Sequence, residues 1–379
     1  MKTVGIITYH HYYNYGTMLQ AYALQCKVAD CGYKAELIDF KQDTSLTRGE
    51  MMKLRLKRFP AYIKAFDKYL TLSKSKKSFE LRDKKFEEFY KKELIVGKQR
   101  YISTVQFLNQ PPQYDGYVVG SDQTWNPYVA KNPEAFYLPF VSNGSKKGSY
   151  GPSLAVSTLT NEQKVRYKER LKDFAYLSCR ESSGAKLLEE VTERRVNSVL
   201  DPTLLLTVEE WGKFAVADKA VGEYILTYFL GDKKEHRKFV AQLSKNTGLK
   251  VVSLPISYLD IKDTKVEKVW GGPEDFISLI RNATVVCTDS FHGTMFSINF
   301  NTNFYSFCKM DDKTASSENS RLYNALQMFG LSNRLVKDGV EAPAKIVPIN
   351  FDTVNDILQR KRQESMEYLA DMLQNITRG

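Results

Sequence analysis

His292, one of only four histidines in the chain, stands where a buried strand should pass into a helix. The apolar run Val285–Thr288 precedes it, and helix-compatible residues follow as far as Phe300. In open α/β sheets, ligands bind outside the carboxyl ends of the strands, and the following helix directs its unpaired amides at a bound anion. We therefore predict His292 as a catalytic residue. The alternative is a histidine that caps a helix or fills a polar pocket.

Further polar clusters follow other predicted strands. They are His10, His11 and 14–16 after the first strand, 120–123 after the third, 150–153, 179–181 and 201–203 after later strands, and 289–292 in the second half. Turns also need Gly, Asn, Asp and Ser, so a single cluster has a structural explanation. Six clusters at equivalent strand ends indicate a functional edge.

The elements that position these clusters alternate between strand and helix. Predicted strands cover 3–8, 35–40, 116–119, 148–150, 175–178, 196–200, 224–230, 250–254, 284–288 and 304–307, with predicted helices at 18–29, 161–173, 185–190, 236–246, 273–281 and after His292. Such alternation predicts parallel sheets covered on both faces. We expect an α/β protein with two Rossmann-like, doubly wound domains facing a cleft, as in the GT-B glycosyltransferases.

The predicted domains are 1–206, with a basic helical insertion at about 45–100, then 221–340, and C-terminal helices at 350–379 that pack back on the first domain. The 379 residues suffice for two domains, each with its own core. Hydrophobic content of 42% and charged content of 26% are typical of a soluble protein. The five cysteines form no Cys-x-x-Cys pair, which favours reduced core residues over disulfides or a zinc cluster.

The net charge of +11 is concentrated in residues 48–100, which hold 17 Lys and Arg against 7 Asp and Glu. Bases mixed with large apolar residues are typical of a helix on an anionic membrane surface, and equally of a solvated helical insertion. No nucleic-acid-reading module accompanies the charge, so we predict no nucleic-acid partner. Without a signal peptide or an apolar span, we expect a cytoplasmic protein, with peripheral contact at the inner face of the membrane through 48–100.

Several motifs together resemble the polysaccharide pyruvyl transferase family. They are Asn14-Tyr-Gly16 with Leu19-Gln-Ala-Tyr-Ala-Leu24, Gly120-Ser-Asp-Gln-Thr-Trp-Asn-Pro127, Ser178-Cys-Arg-Glu181, Leu200-Asp-Pro-Thr203, Thr288-Asp-Ser-Phe-His-Gly-Thr294 and Asn319-Ser-Arg321. The resemblance covers roughly residues 3–334. The second and fifth strings, in this order, are the specific ones.

This resemblance implies transfer of the enolpyruvyl group of phosphoenolpyruvate onto two hydroxyls of a hexose in a bacterial surface, capsule or exopolysaccharide precursor. The products are a cyclic pyruvate ketal and phosphate, and the reaction needs no metal or other cofactor. His292 matches the family's general acid, and Arg180 matches an arginine that grips the donor. The alternative for Arg180 is an ordinary surface salt bridge.

The chain departs from the family pattern at Ser290. Members that resemble it carry Arg-x-His, and the arginine falls at this position. Either Lys309, Arg321 or His10 supplies the missing positive charge, or the donor differs; we favour the first. Asn14, Asp122 and Asp201 complete the predicted substrate-binding residues, the two aspartates as partners of acceptor hydroxyls or of a histidine. Turn capping and domain packing are their alternatives.

Two other functions stay open. One is a metal-independent GT-B glycosyltransferase that uses nucleotide sugars, because fold does not fix function. The other is a catalytically silent sugar-binding protein of the same fold. For the favoured reaction the partners are phosphoenolpyruvate and a sugar acceptor, free or linked to polyprenyl diphosphate.

Overall fold

The N-terminal half builds a parallel four-stranded sheet with the strand order β2-β1-β3-β4. The computed structural model describes residues 1–41, 71–129, 133–214, 222–311, 314 and 317–378. The strands are β1 (Thr3–Ile7), β2 (Lys34–Leu37), β3 (Gly116–Val119) and β4 (Lys147–Ser149). Two short strands, β5 (Ser178–Cys179) and β6 (Asn197–Ser198), pair with each other in parallel. A bridge from Gly148 to Tyr176 links them to β4.

Helices connect these strands as the alternating pattern predicts. They are α1 (Tyr15–Asp30), α2 (Lys76–Glu93), α3 (Thr104–Asn109), α4 (Asn161–Leu171), α5 (Ser182–Thr192), α6 (Pro202–Leu205) and α7 (Val208–Gly212), with short 3-10 turns at Pro133–Tyr137 and Gly144–Lys146. The side chain of Asn14 caps α1 by accepting from the amide of Thr17. Most of α1 is buried, because it packs against α6 on one side and against helices of the C-terminal half on another.

The C-terminal half builds a parallel six-stranded sheet in the order β12-β11-β10-β7-β8-β9. Its strands are β7 (Tyr224–Tyr228), β8 (Lys250–Ser253), β9 (Glu267–Lys268), β10 (Val285–Thr288), β11 (Phe304–Phe307) and β12 (Leu335–Val336). Its helices are α8 (Lys234–Thr247), α9 (Tyr258–Lys262), α10 (Pro273–Asn282), α11 (Phe291–Asn299) and α12 (Ser320–Met328), with a 3-10 turn at Ser332–Arg334.

Both sheets therefore have the doubly wound order of Rossmann-like folds, and the α/β prediction is confirmed. The order reverses between β1 and β3 in the first sheet and between β7 and β10 in the second. Ligands of doubly wound sheets bind at the carboxyl ends of the strands that flank such a reversal. The polar clusters after these four strands are thus the first place to look for a site.

A single C-terminal helix, α13 (Phe351–Ile376), returns to the N-terminal sheet. A Cβ added to Gly148 would lie 2.5 Å from Sδ of Met372, and one added to Gly116 would lie 2.9 Å from Ile376. These glycines let the helix approach the sheet closely. Arg362 of α13 also donates to the carbonyl of Leu204 and to Oδ1 of Asn299, which ties both halves together.

The largest buried apolar cluster spans both sheets. It joins Val4 and Leu19 of the N-terminal half to Leu226 and Val286 of the C-terminal half, and it includes the inner face of α13. A smaller cluster lies within each half. The expectation that each domain has its own core is therefore incomplete, because the main core is shared.

Several predicted strands are longer than the observed ones, most of all those at 35–40, 175–178, 196–200 and 224–230. The 175–178 and 196–200 predictions overlap the observed β5 and β6 only in part. At the end of the 196–200 prediction, the amide of Leu200 donates to Oγ of Ser365 on α13 rather than to a neighbouring strand. The predicted domain boundaries themselves stay predictions.

Much of the predicted basic insertion, residues 42–70, lies outside the described residues. The described part of it, α2, buries Phe86 and Phe89, and its Lys85 donates to Asp275 of α10. These aromatic side chains therefore face protein, so this helix does not offer them to a membrane. Within the described ranges, none of the helices combines the length and the apolar character that crossing a bilayer requires.

Candidate active site

His292 is the second residue of α11 and lies at the reversal point of the C-terminal sheet. Ser290 caps the helix, since its Oγ accepts from the amide of Gly293 at 3.3 Å. The imidazole is nearly buried, and its Nε2 lies 3.5 Å from Oδ2 of Asp201 in the N-terminal half. The predicted catalytic histidine therefore faces a carboxylate that the other half supplies.

Both carboxylate oxygens of Asp201 have partners. Oδ1 accepts from the amide and the hydroxyl of Thr203, which caps α6. Oδ2 accepts from Nη1 of Arg180 at 2.6 Å and faces His292. Burial alone would raise the pKa of Asp201, but the neighbouring His292 and Arg180 outweigh it and hold this pKa well below its usual range. Asp201 is therefore an ionised counter-charge fixed against the histidine.

Arg180 is buried rather than exposed, so the surface salt bridge alternative is wrong. Its side chain is 3% exposed, and its guanidinium carbon lies 4.2 Å from the centre of the Phe291 ring. Nε and Nη2 have no hydrogen-bond partner among the described residues. Arg180 lines a narrow crevice beside His292, together with Asp201, Phe291 and Arg321.

Gly16 explains why the Asn14-Tyr-Gly16 motif belongs to this site. A Cβ on Gly16 would lie 2.0 Å from Nδ1 of His292 and 2.1 Å from its Cγ. Only glycine lets the first turn of α1 approach the imidazole this closely. The sequence placed residue 16 at a strand end, but the contact with His292 was not predicted, because it joins the two halves of the molecule.

A cavity of about 350 Å³ opens between the two reversal points. It is lined from both halves by Tyr9, Tyr12, Asn14, Thr17, Asp122, Gln123, Val129, Leu230, Asp289, Ser290, Phe291, His292, Phe307, Lys309, Glu318, Asn319, Arg321 and Leu322. The structure thus brings together His292, Ser290, Lys309, Arg321, Asn14 and Asp122 of the predicted residues. Arg180 and Asp201 stand behind His292 in the adjoining crevice.

Two cations line the cavity where the family arginine is missing. Lys309 Nζ lies 3.6 Å from Glu318, and Nη2 of Arg321 donates to the same carboxylate at 2.8 Å. Asp122 and Asp289 line the same cavity, so the two cations lie among three carboxylates. Ser290 itself uses its Oγ to cap α11. Lys309 and Arg321 lie in the cavity as predicted sources of the missing charge, but neither takes the position of residue 290.

The prediction that His10 supplies this charge is wrong. His10 is fully buried in a separate small cavity and does not line the large one. Burial and the neighbouring His11 lower the pKa of His10 to about 3, so its imidazole is neutral at physiological pH.

Asp122 shapes the cavity from the N-terminal side. It has a positive φ of 66°, and its carboxylate accepts from the hydroxyl of Thr17 at 2.8 Å and from the amide of Gln123 at 2.9 Å. The turn-capping alternative thus describes part of what Asp122 does. The same side chain still borders the cavity.

Asp289, which precedes Ser290, belongs to the predicted cluster 289–292, but no role of its own was predicted for it. Its carboxylate accepts from the amides of Leu230 at 2.6 Å and Gly231 at 2.9 Å, so it joins the end of β10 to the end of β7. Burial outweighs these bonds and raises the pKa of Asp289 to about 6. Its signal in the sequence is its position directly after a buried strand.

Solved structures similar in overall shape include two described as epimerases and one described as a glycosyltransferase. UDP-GlcNAc 2-epimerase of Methanocaldococcus jannaschii is 12% identical with a TM-score of 0.47, covering 95% of this chain and 99% of that one. A putative UDP-N-acetylglucosamine 2-epimerase of Listeria monocytogenes is 9% identical with a TM-score of 0.48, covering 97% and 90%. The glycosyltransferase SnogD of Streptomyces nogalater is 11% identical with a TM-score of 0.43, covering 98% and 99%. At these values the likeness supports no statement about activity.

No curated protein matches the chain in sequence. The profile of one protein family, described as polysaccharide pyruvyl transferase, matches residues 14–307. This range includes Gly16, Asp122, Arg180, Asp201 and His292. Because the match covers well over half of the chain, the protein belongs to the polysaccharide pyruvyl transferase family.

Proposed function

We propose that this protein transfers the enolpyruvyl group of phosphoenolpyruvate onto two hydroxyls of one hexose, forming a cyclic pyruvate ketal and releasing phosphate. The observation that carries the proposal is His292, backed by an ionised Asp201 and bordering a cavity where Lys309 and Arg321 are available to pair with an anionic donor. An acid beside an anion-binding wall is what this donor requires.

The first step is protonation of the donor. The imidazolium of His292 gives its proton to the methylene carbon of phosphoenolpyruvate, and the carbon that bears the phosphate becomes oxocarbenium-like. One sugar hydroxyl adds to that carbon and returns a proton to the imidazole. Asp201 holds the ring in place and remains its counter-ion throughout, since Arg180 and Thr203 keep the carboxylate fixed.

The second step expels phosphate. The carbon–oxygen bond breaks with its electron pair on phosphate, and the second hydroxyl closes the ketal while its proton leaves with phosphate. Lys309 and Arg321 stabilise the phosphate charge, and the N-terminus of α11 borders the same cavity. The departing phosphate carries the negative charge that Lys309 and Arg321 bind.

The acceptor lies on the N-terminal side of the cavity in this proposal. Tyr9, Tyr12 and Asn14 border the cavity there, and aromatic rings with amide groups suit a sugar face and its hydroxyls.

We extend the proposal to a polyprenyl-diphosphate-linked acceptor, with residues 48–100 contacting the membrane. Co-sedimentation with anionic vesicles tests that extension: equal sedimentation of wild type and a variant with these charges neutralised would contradict it.

The test of the reaction is phosphate release from phosphoenolpyruvate with a panel of galactosides, glucosides and mannosides. We expect acceptor-dependent release that falls by about 10²–10⁴-fold in His292→Ala, the usual contribution of a general acid. Arg180→Lys is preferred to Arg180→Ala, because alanine would leave Asp201 buried without its cation.

A matched pair of lysines tests the anion site. Lys309→Ala should raise the KM for phosphoenolpyruvate, whereas Lys250→Ala, a similarly exposed lysine that pairs with Glu267 at 3.0 Å, should not. The proposal is overturned if none of the acceptors in the panel supports phosphate release, or if the protein turns over a nucleotide sugar instead. Sugar binding without any turnover would indicate the silent sugar-binding alternative.

A further inference from the structure

A second cluster of ligand-type side chains lies outside the proposed active site. His10 and His11 follow β1, and Asp39 follows β2, so neighbouring strands deliver them to the same edge of the N-terminal sheet. One ligand atom from each, two ring nitrogens and a carboxylate oxygen, lies within 4.8 Å of the other two. His292, Arg321 and Lys309 take no part in this cluster.

The orientation of His10 determines which of its two ring nitrogens has a lone pair available for a ligand. Nδ1 lies 2.9 Å from the carbonyl oxygen of Thr8, which can only accept, so Nδ1 carries the proton. Nε2 then has a lone pair, and it is buried without a hydrogen-bond partner among the described residues. A metal-bound histidine has the same arrangement, with one nitrogen on the ion and the other donating to a backbone carbonyl.

The remaining groups fit a bound cation. Nε2 of His11 lies 2.7 Å from Oδ1 of Asp39, and Nε of Arg100 donates to Oδ2 of Asp39 at 3.1 Å, as an outer partner that orients the carboxylate. The rings of His10 and His11 lie 4.1 Å apart, and both lie close to Tyr90, whose buried hydroxyl has no partner among the described residues.

A small cavity of about 10 Å³ borders both histidines. That is space for one water molecule or one ion. Buried polar atoms without a partner are rare in folded proteins, and His10, whose Nε2 is one of them, lines this space. A hydrophobic ligand would not account for the two imidazoles and the carboxylate.

We propose that His10, His11 and Asp39 form a binding site for one divalent first-row transition metal ion of the zinc type. Two imidazoles and one carboxylate suit such an ion, whereas Mg²⁺ and Ca²⁺ prefer oxygen ligands. The ion joins the segment after β1 to the end of β2. Since Tyr9 and Tyr12 border both this small cavity and the large one, the ion holds the acceptor side of the active site in place.

The experiment titrates the chelator-treated full chain with Zn²⁺ in competition with a chromophoric chelator. One equivalent is expected to bind wild type, with affinity falling at least about 10²-fold in His11→Gln and in Asp39→Asn, because each removes a direct ligand. His236→Gln, which replaces a buried histidine outside the cluster, should keep the full affinity. Far-UV circular dichroism and thermal unfolding without metal show that each variant is folded.

Co²⁺ absorption is the second measurement, because it needs only the wild-type protein. Bands typical of nitrogen and oxygen ligands at low coordination number support the site, and octahedral bands contradict it. Three results overturn the proposal: no binding of Zn²⁺ to wild type, binding that both ligand variants retain, or binding that His236→Gln abolishes. Equal binding of Mg²⁺ would also overturn it.

Discussion

At the scale of single residues, Asp201 connects the charge of Arg180 to the position of His292. Both carboxylate oxygens are occupied, so Asp201 has little capacity left for an acceptor hydroxyl. Of its two predicted roles, the structure favours the contact with histidine. The net contribution of such a buried ion pair to stability is small. Removing only one partner costs more than this contribution, because the other charge is then buried without compensation.

Asp201→Asn should lower the free energy of unfolding by about 3–5 kcal/mol at pH 7, the usual result of breaking a buried pair. The pKa of Asp201 is depressed in the folded state, so its stabilisation is present above the unfolded value of about 3.9 and is lost as the pH falls further. Urea unfolding at pH 7 and pH 3 should therefore show a smaller difference between variant and wild type at pH 3.

The control for this experiment is Asp356→Asn, which changes an exposed carboxylate of α13. It should alter stability little at either pH, because exposed charges interact weakly. A difference for Asp201→Asn that stays constant from pH 7 to pH 3 would show that its neighbours do not lower the pKa of this carboxylate in the folded state.

Gly16→Ala tests the close approach of α1 to the imidazole. The new methyl group would lie 2.0 Å from Nδ1 of His292, so the ring must move. We expect a stability loss of about 1–3 kcal/mol from overpacking and a fall of about 10²-fold in phosphate release from misplacement of the acid. Chemical denaturation gives the first quantity whether or not the proposed reaction is right.

Gly212→Ala is the matched helical glycine, since its added methyl group would have only Arg281 nearby, at 3.5 Å. That variant should be neutral or slightly stabilising, by up to about 1 kcal/mol. If Gly16→Ala behaves in the same way, the histidine has room to adjust and the approach is not a constraint.

At the scale of elements, the strands that were predicted best are the fully buried ones. The predictions 116–119 and 304–307 coincide with β3 and β11, because short apolar runs between turn residues leave little choice of boundary. The strand predicted at 196–200 is longer than β6, and the amide of Leu200, its last predicted residue, donates instead to Ser365 of α13, a distant contact that leaves no local signal. Long-range packing limits boundary prediction in the same way elsewhere.

Met372→Ala tests the packing of α13 on the N-terminal sheet. Met372 is fully buried against Gly148, so truncation should lower the free energy of unfolding by about 2–5 kcal/mol. Gln374→Ala, on the exposed side of the same helix, controls for helix propensity and should change it by less than about 0.5 kcal/mol. Equal effects of the two changes would mean that α13 contributes no core contact.

At the scale of the whole molecule, the site exists only where the two halves meet. His292 comes from one half, and Asp201, Arg180 and Gly16 come from the other. The sequence predicts each of the polar clusters as a strand end, but it carries no local signal that pairs residue 201 or residue 16 with residue 292. Such pairings depend on how the two sheets face each other, which the shared apolar core decides.

Tyr15 is the clearest test of that shared interface. Its ring stacks on Phe276 of α10, with centroids 4.7 Å apart and an angle of 8°, and its hydroxyl donates to the carbonyl of Gly271 at 2.8 Å. Tyr15→Phe keeps the ring and loses one hydrogen bond, for an expected loss of about 1 kcal/mol. Tyr15→Ala also removes the ring, for about 3–5 kcal/mol.

Scanning calorimetry distinguishes a shared core from two independent ones. A shared core predicts one unfolding transition in wild type and in Tyr15→Phe, because neither half keeps its buried surface when the other unfolds. In Tyr15→Ala the weakened interface should separate the transition into two. Activity should fall with it, since His292 then loses its fixed distance to Asp201. Two transitions already present in wild type would instead show that the halves are stable alone, and that the interface positions the site without holding the molecule together.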